Sequence, residues 1–212
     1  MADNGGTMTD SIIRAMGRRS VMKVIIAASA AMATPAAWAA GGPAEAYVSQ
    51  IAGEVMALAN SGLTGNGLRD KFSALLNRYI NFHGIADYAL GQYRSQIPSG
   101  EQAEFYRLVS NYAAALFVFY VSDFRGNSLA ILSTTQQGKF TVIQSAIRGQ
   151  GLGGELVRWR LLPNGGSFRV SDVNIKGVWL TIAMHDRFTK VMAKSKGGYN
   201  ALFDELRQAE TW

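Results

Sequence analysis

The hydrophobic period of this chain changes twice, and those changes limit the folds open to it. Tyr47, Val48, Ile51, Val55 and Leu58 stand at helical spacing within 44–60. After a Gly/Asn-rich break at 61–67, Leu68, Phe72, Leu75, Leu76, Tyr79 and Ile80 form a second stripe. Apolar residues three and four apart gather on one face of a helix. Residues 83–97 read as one or two short helices stopped by Pro98. Ser99 with Gln102 reads as a capping box that opens a helix over 99–124. Phe105, Leu108, Val109, Tyr112, Leu116, Phe119 and Tyr120 line its apolar face, and Phe117 and Val121 widen it, which predicts a central helix.

Beyond Gly126-Asn127 the period drops to two. Leu129-Ala130-Ile131-Leu132 predicts a short strand. Phe140, Val142 and Ala146 alternate with Thr141, Ile143 and Ser145 in a second. Val157, Trp159 and Leu161 alternate with Arg158, Arg160 and Leu162 in a third. Asn164-Gly165-Gly166 is a turn signal before a fourth strand that begins at Phe168 and Val170. The apolar parity then shifts to Val173 and Ile175, which predicts a bulge near Ser171-Asp172, and Gly177 ends the strand. Helical spacing returns over 178–194 and 199–208. The expectation is one α+β domain, an antiparallel four-stranded meander with helices on one face.

Residues 1–39 read differently. Arg14, Arg18, Arg19 and Lys23 precede an apolar run at 24–33, a break at Pro35, and the small-x-small triplet Ala37-Trp38-Ala39. That order is the one a secretory signal peptide needs, and the apolar run is shorter than the ~20 residues of a membrane-spanning helix. Arg18-Arg19-Ser20-Val21-Met22-Lys23 also fits the twin-arginine export pattern. The expected organisation is a signal peptide at 1–39 and one domain at 40–212, exported to a bacterial periplasm. The whole chain carries 21 Lys+Arg and 15 Asp+Glu, a formal +6. Residues 1–39 hold four of the basic and two of the acidic residues, which leaves +4 on the domain. That excess is too diffuse for nucleic-acid binding.

The chemistry-bearing residues are sparse. There is no cysteine, and His83 and His185 are the two histidines, so thiolate catalysis, disulfides and multi-histidine metal centres are not expected. Gly149-Gln150-Gly151-Leu152-Gly153-Gly154 satisfies G-x-G-x-x-G, but Glu155-Leu156-Val157-Arg158-Trp159 after it alternates like a strand rather than opening a helix. It reads as a hairpin loop. His185 and Asp186 are adjacent on a helix, about 100° apart, so they do not form a base with its orienter. Asp172, at the expected bulge, reads as a buried carboxylate satisfying loop amides; an enzyme built on Asp172 and His185, and a structural interaction domain with a filled core, are the competing readings. Arg158 and Arg160 read as a solvated strand face, or as contacts for a headgroup or partner. Apolar residues make up 48% of the chain. Periodicity alone does not say whether they fill the core with side chains or line a cavity.

Phe168-Arg169-Val170-Ser171-Asp172-Val173-Asn174-Ile175-Lys176-Gly177-Val178-Trp179-Leu180 resembles the hallmark of the MlaC family, the periplasmic lipid-binding auxiliaries of an ABC transport system also called toluene-tolerance auxiliary proteins. Asp172, Val173, Ile175, Gly177, Val178 and Leu180 match its pattern, Phe168 takes a position usually held by Trp, and Trp179 replaces the usual Ser. Met184-His185-Asp186-Arg187-Phe188 keeps the Phe of the following helix and lacks its Tyr-Arg pair, while Ala89-Leu90-Gly91 matches an upstream motif. The resemblance runs over about 44–208 and implies an NTF2-like, cystatin-like sheet with helices enclosing an apolar cavity. It implies phospholipid as ligand, or a hopanoid in a related branch. It also implies partners in an inner-membrane ABC transporter complex and an outer-membrane lipoprotein complex, with no cofactor and no catalysis. Maintenance of outer-membrane asymmetry is the corresponding role. Strand parity and the central helix select the expected lining: Leu129, Ile131, Phe140, Val142, Val157, Trp159 and Leu161 on the sheet, with Phe117, Tyr120, Val170 and Val173 as secondary candidates.

Overall fold

The structure, a computed structural model, describes residues 42–125, 127–149 and 154–211, so the expected signal peptide lies outside the described residues. Its first half is helical: α1 (Pro43–Ala59), α2 (Gly65–Tyr79), α3 (Phe82–Leu90) and α4 (Gln102–Phe124). Each follows its apolar stripe, and Val48, Ile51, Leu68, Leu75, Leu76, Leu108 and Val109 are buried. Phe72 of α2 stacks on Phe117 of α4 with ring centroids 3.6 Å apart. Between α3 and α4 the chain makes 3-10 turns at Gly91–Gln96 and Ser99–Glu101. The expected capping box at Ser99 and Gln102 is not formed, because no side chain caps either turn. The tight turn does that work instead, with the Glu101 amide donating to the Pro98 carbonyl at 2.9 Å.

The second half holds an antiparallel sheet in sequential order: β1 (Ser128–Gln137), β2 (Phe140–Arg148), β3 (Leu156–Asn164), β4 (Ser167–Ile175) and β5 (Val178–Trp179). The sheet thus has five strands, not four. Lys176 and Gly177 both have positive φ, 53° and 85°. Two such residues make the tight turn whose twist matches paired strands. Val178 and Trp179 therefore fold back to pair with Ile175 and Asn174 before the next helix begins. In the sequence those two residues merge with the helical run that follows. β1 also extends to Gln137, beyond its apolar start, because Ser133 to Gln137 pair with β2 despite their polar side chains.

The bulge falls where the parity shift predicts it. Asp172 faces Arg160 and Val170 faces Leu161, so Ser171 is the extra residue. Its Oγ donates to the Arg160 carbonyl at 3.2 Å. β5 covers only the last residues of β4; at the other end Ile80 bridges Val170, with the Asn81 amide donating to the Val170 carbonyl at 3.0 Å. That contact blunts an otherwise open strand edge. Helices α5 (Leu180–Lys194) and α6 (Tyr199–Gln208) complete the chain. They build a second cluster with α4: the Phe105 ring lies 6.3 Å from Phe188 and 6.1 Å from Phe203, all three buried. An Arg187–Glu205 ion pair ties α5 to α6.

Candidate functional site

Cross-strand partners share a face, so the register sorts every sheet residue. One face carries Leu129 and Ile131 of β1, Ile143, Ser145 and Ile147 of β2, Val157, Trp159 and Leu161 of β3, and Val170, Val173 and Ile175 of β4. Contacts between Glu45 and Thr134, and between Tyr47 and Phe168, show that α1 packs on this face. Seven of the nine expected sheet residues are therefore together: Leu129, Ile131, Val157, Trp159, Leu161, Val170 and Val173. Val142 and Phe140 are on the opposite face, since Val142 pairs with Arg160 and Phe140 with Gln137. The parity of β2 had suggested the reverse. Both faces of that strand hold apolar residues, so alternation does not reveal which set turns inward. Ile143, fully buried, occupies the place expected of Val142.

The helix-facing side is sealed along its middle, where Ile147 and Val157 are buried in the same rows as Leu129 and Ile175, and is less covered at β1 and at the β4 end. Leu161, Val170 and Ile143 are completely buried. Toward the β1 start and β4 end, Leu129, Ile131, Trp159, Val173, Ile175 and Val178 are only half-buried. Ser145 sits among them with no exposed surface. Its Oγ donates to the Val157 carbonyl at 3.1 Å and accepts from Trp159 Nε1 at 2.9 Å. The hydroxyl thus satisfies the indole N–H and fixes the orientation of the ring. Nothing in strand alternation marks Ser145; a small polar residue at an inward position is its only signal. Of the helix candidates, Phe117 is buried against Phe72, whereas Tyr120 is half-buried with its ring 4.9 Å from that of Phe119.

On the other face the hallmark residues do structural work. Asp172 is buried and Oδ1 accepts from the amides of Val173 and Thr181, at 2.9 and 3.1 Å. The Thr181 hydroxyl donates to Oδ2 at 2.6 Å. Thr181 lies in the first turn of α5, so Asp172 caps that helix from the sheet. Burial pushes its carboxyl above the usual range, against the lowering effect of these bonds and of Arg160. The Arg160 Nη1 lies 3.6 Å from Oδ2, and its guanidinium sits 3.8 Å over the Trp179 ring and 5.8 Å from Phe140. Arg160 is thereby a packing residue, while Arg158 is exposed.

The histidines are occupied in separate places. His83 stacks on Tyr106 at 4.0 Å, and His185 Nδ1 lies 3.2 Å from the Tyr88 carbonyl oxygen. The Ala89-Leu90-Gly91 motif is explained by the same contact: Gly91 has φ 52°, and a Cβ there would stand 2.7 Å from His185 Cε1. Among the described residues no cluster of three or more His, Asp or Glu could hold a metal, and no helix is long and apolar enough to cross a membrane. A groove of about 660 Å3 runs between α2 and α4, lined by Ser73, Asn77, His83, Tyr106, Arg107 and Ser110 among others. Its lining mixes polar and apolar surface, and none of it comes from the sheet.

The profile of a family described as MlaC protein matches residues 49–208. No curated protein matches the chain. Among solved structures, a phospholipid-binding protein from Ralstonia solanacearum, determined in complex with a phospholipid, superposes with a TM-score of 0.67 at 19% identity. The match covers 80% of this chain and 98% of that one, so the two share a fold.

Proposed function

The chain belongs to the MlaC family, and from that premise we propose that it is an exported lipid carrier rather than an enzyme, one that holds phospholipid tails against the helix-facing side of its sheet. The observation that carries this reading is the unsealed apolar surface of Leu129, Ile131, Trp159, Val173 and Ile175, in a fold shared with a protein solved with phospholipid bound. Ile143, Ile147, Val157 and Leu161 on the same face are buried, so the less covered surface lies around them. The ligand would take its headgroup to solvent and its tails between sheet and helices.

The energetics suit a shuttle. Burying hydrocarbon gains about 0.8 kcal/mol per CH2, so a sixteen-carbon tail gains on the order of 12 kcal/mol relative to water. A bilayer offers nearly the same gain, so transfer between membrane and protein is close to balanced, and a driven partner complex sets direction. In this reading the protein is delivered to the periplasm by residues 1–39. There it carries phospholipid between an inner-membrane ABC transporter complex and an outer-membrane lipoprotein complex.

The test is to express the full-length chain in a Gram-negative host and purify it without detergent from the periplasmic fraction. Extracted lipid is then measured by mass spectrometry. About one phospholipid per protein is expected. Lipid-free protein would overturn the carrier reading, and a chain retained in the cytoplasm would overturn the export reading.

A further inference from the structure

The groove between α2 and α4 takes no residue from the sheet, so the carrier reading leaves it without a role. Its volume of about 660 Å3 lies within the ~300–1,000 Å3 of small-molecule sites. Four segments build it: α2, the start of α3, the turn at Ser99–Glu101, and α4. Phe82 and Ser110 are its buried lining. The walls are held by bonds within the protein. Ser110 Oγ lies 3.4 Å from Ser73 Oγ and donates to Asn77 Oδ1 at 3.4 Å, which ties α4 to α2. The Tyr106 hydroxyl donates to Asp87 Oδ1 at 2.9 Å, and Arg94 Nη2 lies 2.8 Å from the other oxygen of that carboxylate. Tyr106 is thereby fixed with its ring against His83, their centroids 4.0 Å apart and their planes 20° from parallel.

The chemistry that this groove offers is neutral. Arg107 is the one Lys or Arg in its lining among the described residues. Its Nε and Nη2 donate to the two carboxylate oxygens of Glu104 at 2.7 and 2.8 Å. An anion would have to compete with that two-pronged pair. His83, Ser99 and Gln102 are exposed and, among the described residues, hydrogen-bonded to no protein group. The groove therefore presents a supported aromatic ring beside a hydroxyl and a side-chain amide, with the exposed Asn77 amide on the facing helix.

We propose that this groove binds a neutral, hydroxyl-rich ligand, a short sugar chain that lays a ring face on His83 and exchanges hydrogen bonds with Ser99, Gln102 and Asn77. A pyranose ring has these two aspects, C–H groups on its faces and hydroxyls around its rim. Side-chain amides suit the rim because each presents donors and an acceptor together. An aromatic face suits the C–H groups, which are apolar. A lipid tail in the groove would leave the amides and hydroxyls unanswered. A peptide would add to a sheet edge or seat apolar anchors. No strand lines this groove, and Phe82 is its one buried apolar side chain among the described residues. The proposal is independent of the carrier reading.

The test uses the exported protein made from the full-length chain, isotope-labelled and followed by two-dimensional NMR. It is titrated with chitotriose and with maltotriose, and in separate samples with inorganic phosphate and with an uncharged, end-blocked alanine tripeptide. Saturable shifts with at least one of the sugars, centred on His83, Gln102 and Tyr106, are expected. His83→Ala should weaken binding about tenfold, what a ring contact and a hydrogen bond are worth together. Gln102→Ala should weaken it about threefold to tenfold. Both side chains are exposed, and circular dichroism melts show that each variant is folded. Lys139→Ala, outside the groove, should leave binding unchanged. No shifts with either sugar, or shifts that neither groove variant reduces, would overturn the proposal. Phosphate or the tripeptide shifting the groove residues while both sugars fail would overturn it too. Lipid is measured on the same samples. Protein that carries lipid but ignores sugars sinks the groove alone; protein that binds a sugar but carries no lipid sinks the carrier reading alone.

Discussion

Asp172 shows how one residue of the family hallmark ties the sheet to a helix. It answers two amides and a hydroxyl at the start of α5. Asp172→Ala would leave buried donors unmet and should cost about 3 kcal/mol, measured by chemical denaturation. Because burial raises its carboxyl above the ordinary value of 3.8, the folded state favours the protonated form. Its contribution is therefore full below the unfolded value and falls as pH rises through the raised folded one. Measured against Asp172→Asn, the advantage of the natural chain should shrink over that rise. Glu104 has the opposite sign. Hydrogen bonds and charge from Arg107, and then from Arg207, hold its carboxyl at about 2 against an ordinary 4.5. Its contribution is present above 4.5 and lost on acidification toward 2; Arg207→Ala should move its NMR titration upward. Gly91→Ala places a methyl in the His185 ring at a positive φ. A loss of at least about 2 kcal/mol is expected, and adding His185→Ala should recover the clash but not the backbone strain of about 1 kcal/mol.

At the scale of elements, register decides function. Alternation in β2 gives two nearly equivalent apolar sets, and a one-residue shift exchanges them. Pairing with β3 turns Ile143 and Ser145 toward the helices and Val142 toward Arg160. Ile131→Trp, on the half-open side, should therefore lower the lipid recovered with the protein while leaving the fold intact. Val142→Trp should leave the lipid ratio unchanged and lower stability by about 1–3 kcal/mol through overpacking. Equal effects of the two on loading would contradict the assignment of faces. The order of helices and strands, the Gly165-Gly166 hairpin turn and the Ser171 bulge were all legible, since each depends on neighbours in sequence. The fifth strand was not. Its two residues have the apolarity of the helix that follows, and only the turn at Lys176-Gly177 separates them.

For the whole molecule, bound lipid should act as part of the fold. A ligand that binds only the native state stabilises it by mass action. Delipidated protein should thus melt at a lower temperature than protein purified with its lipid, and added phospholipid should restore the difference. An unchanged melting temperature would mean that tails contribute no buried surface. The sequence by itself determined the α+β class, the order of elements and the scarcity of reactive groups, because period, turn residues and composition are local properties. The MlaC resemblance also lay in a contiguous run, where Asp172, Gly177 and their neighbours can be read in line. Only the tertiary structure decided that Phe140 and Val142 face away from the helices, that Ser145 holds Trp159, and that Gly91 meets His185. Those relations join residues far apart in sequence, and strand register and helix docking set them, which no local pattern encodes.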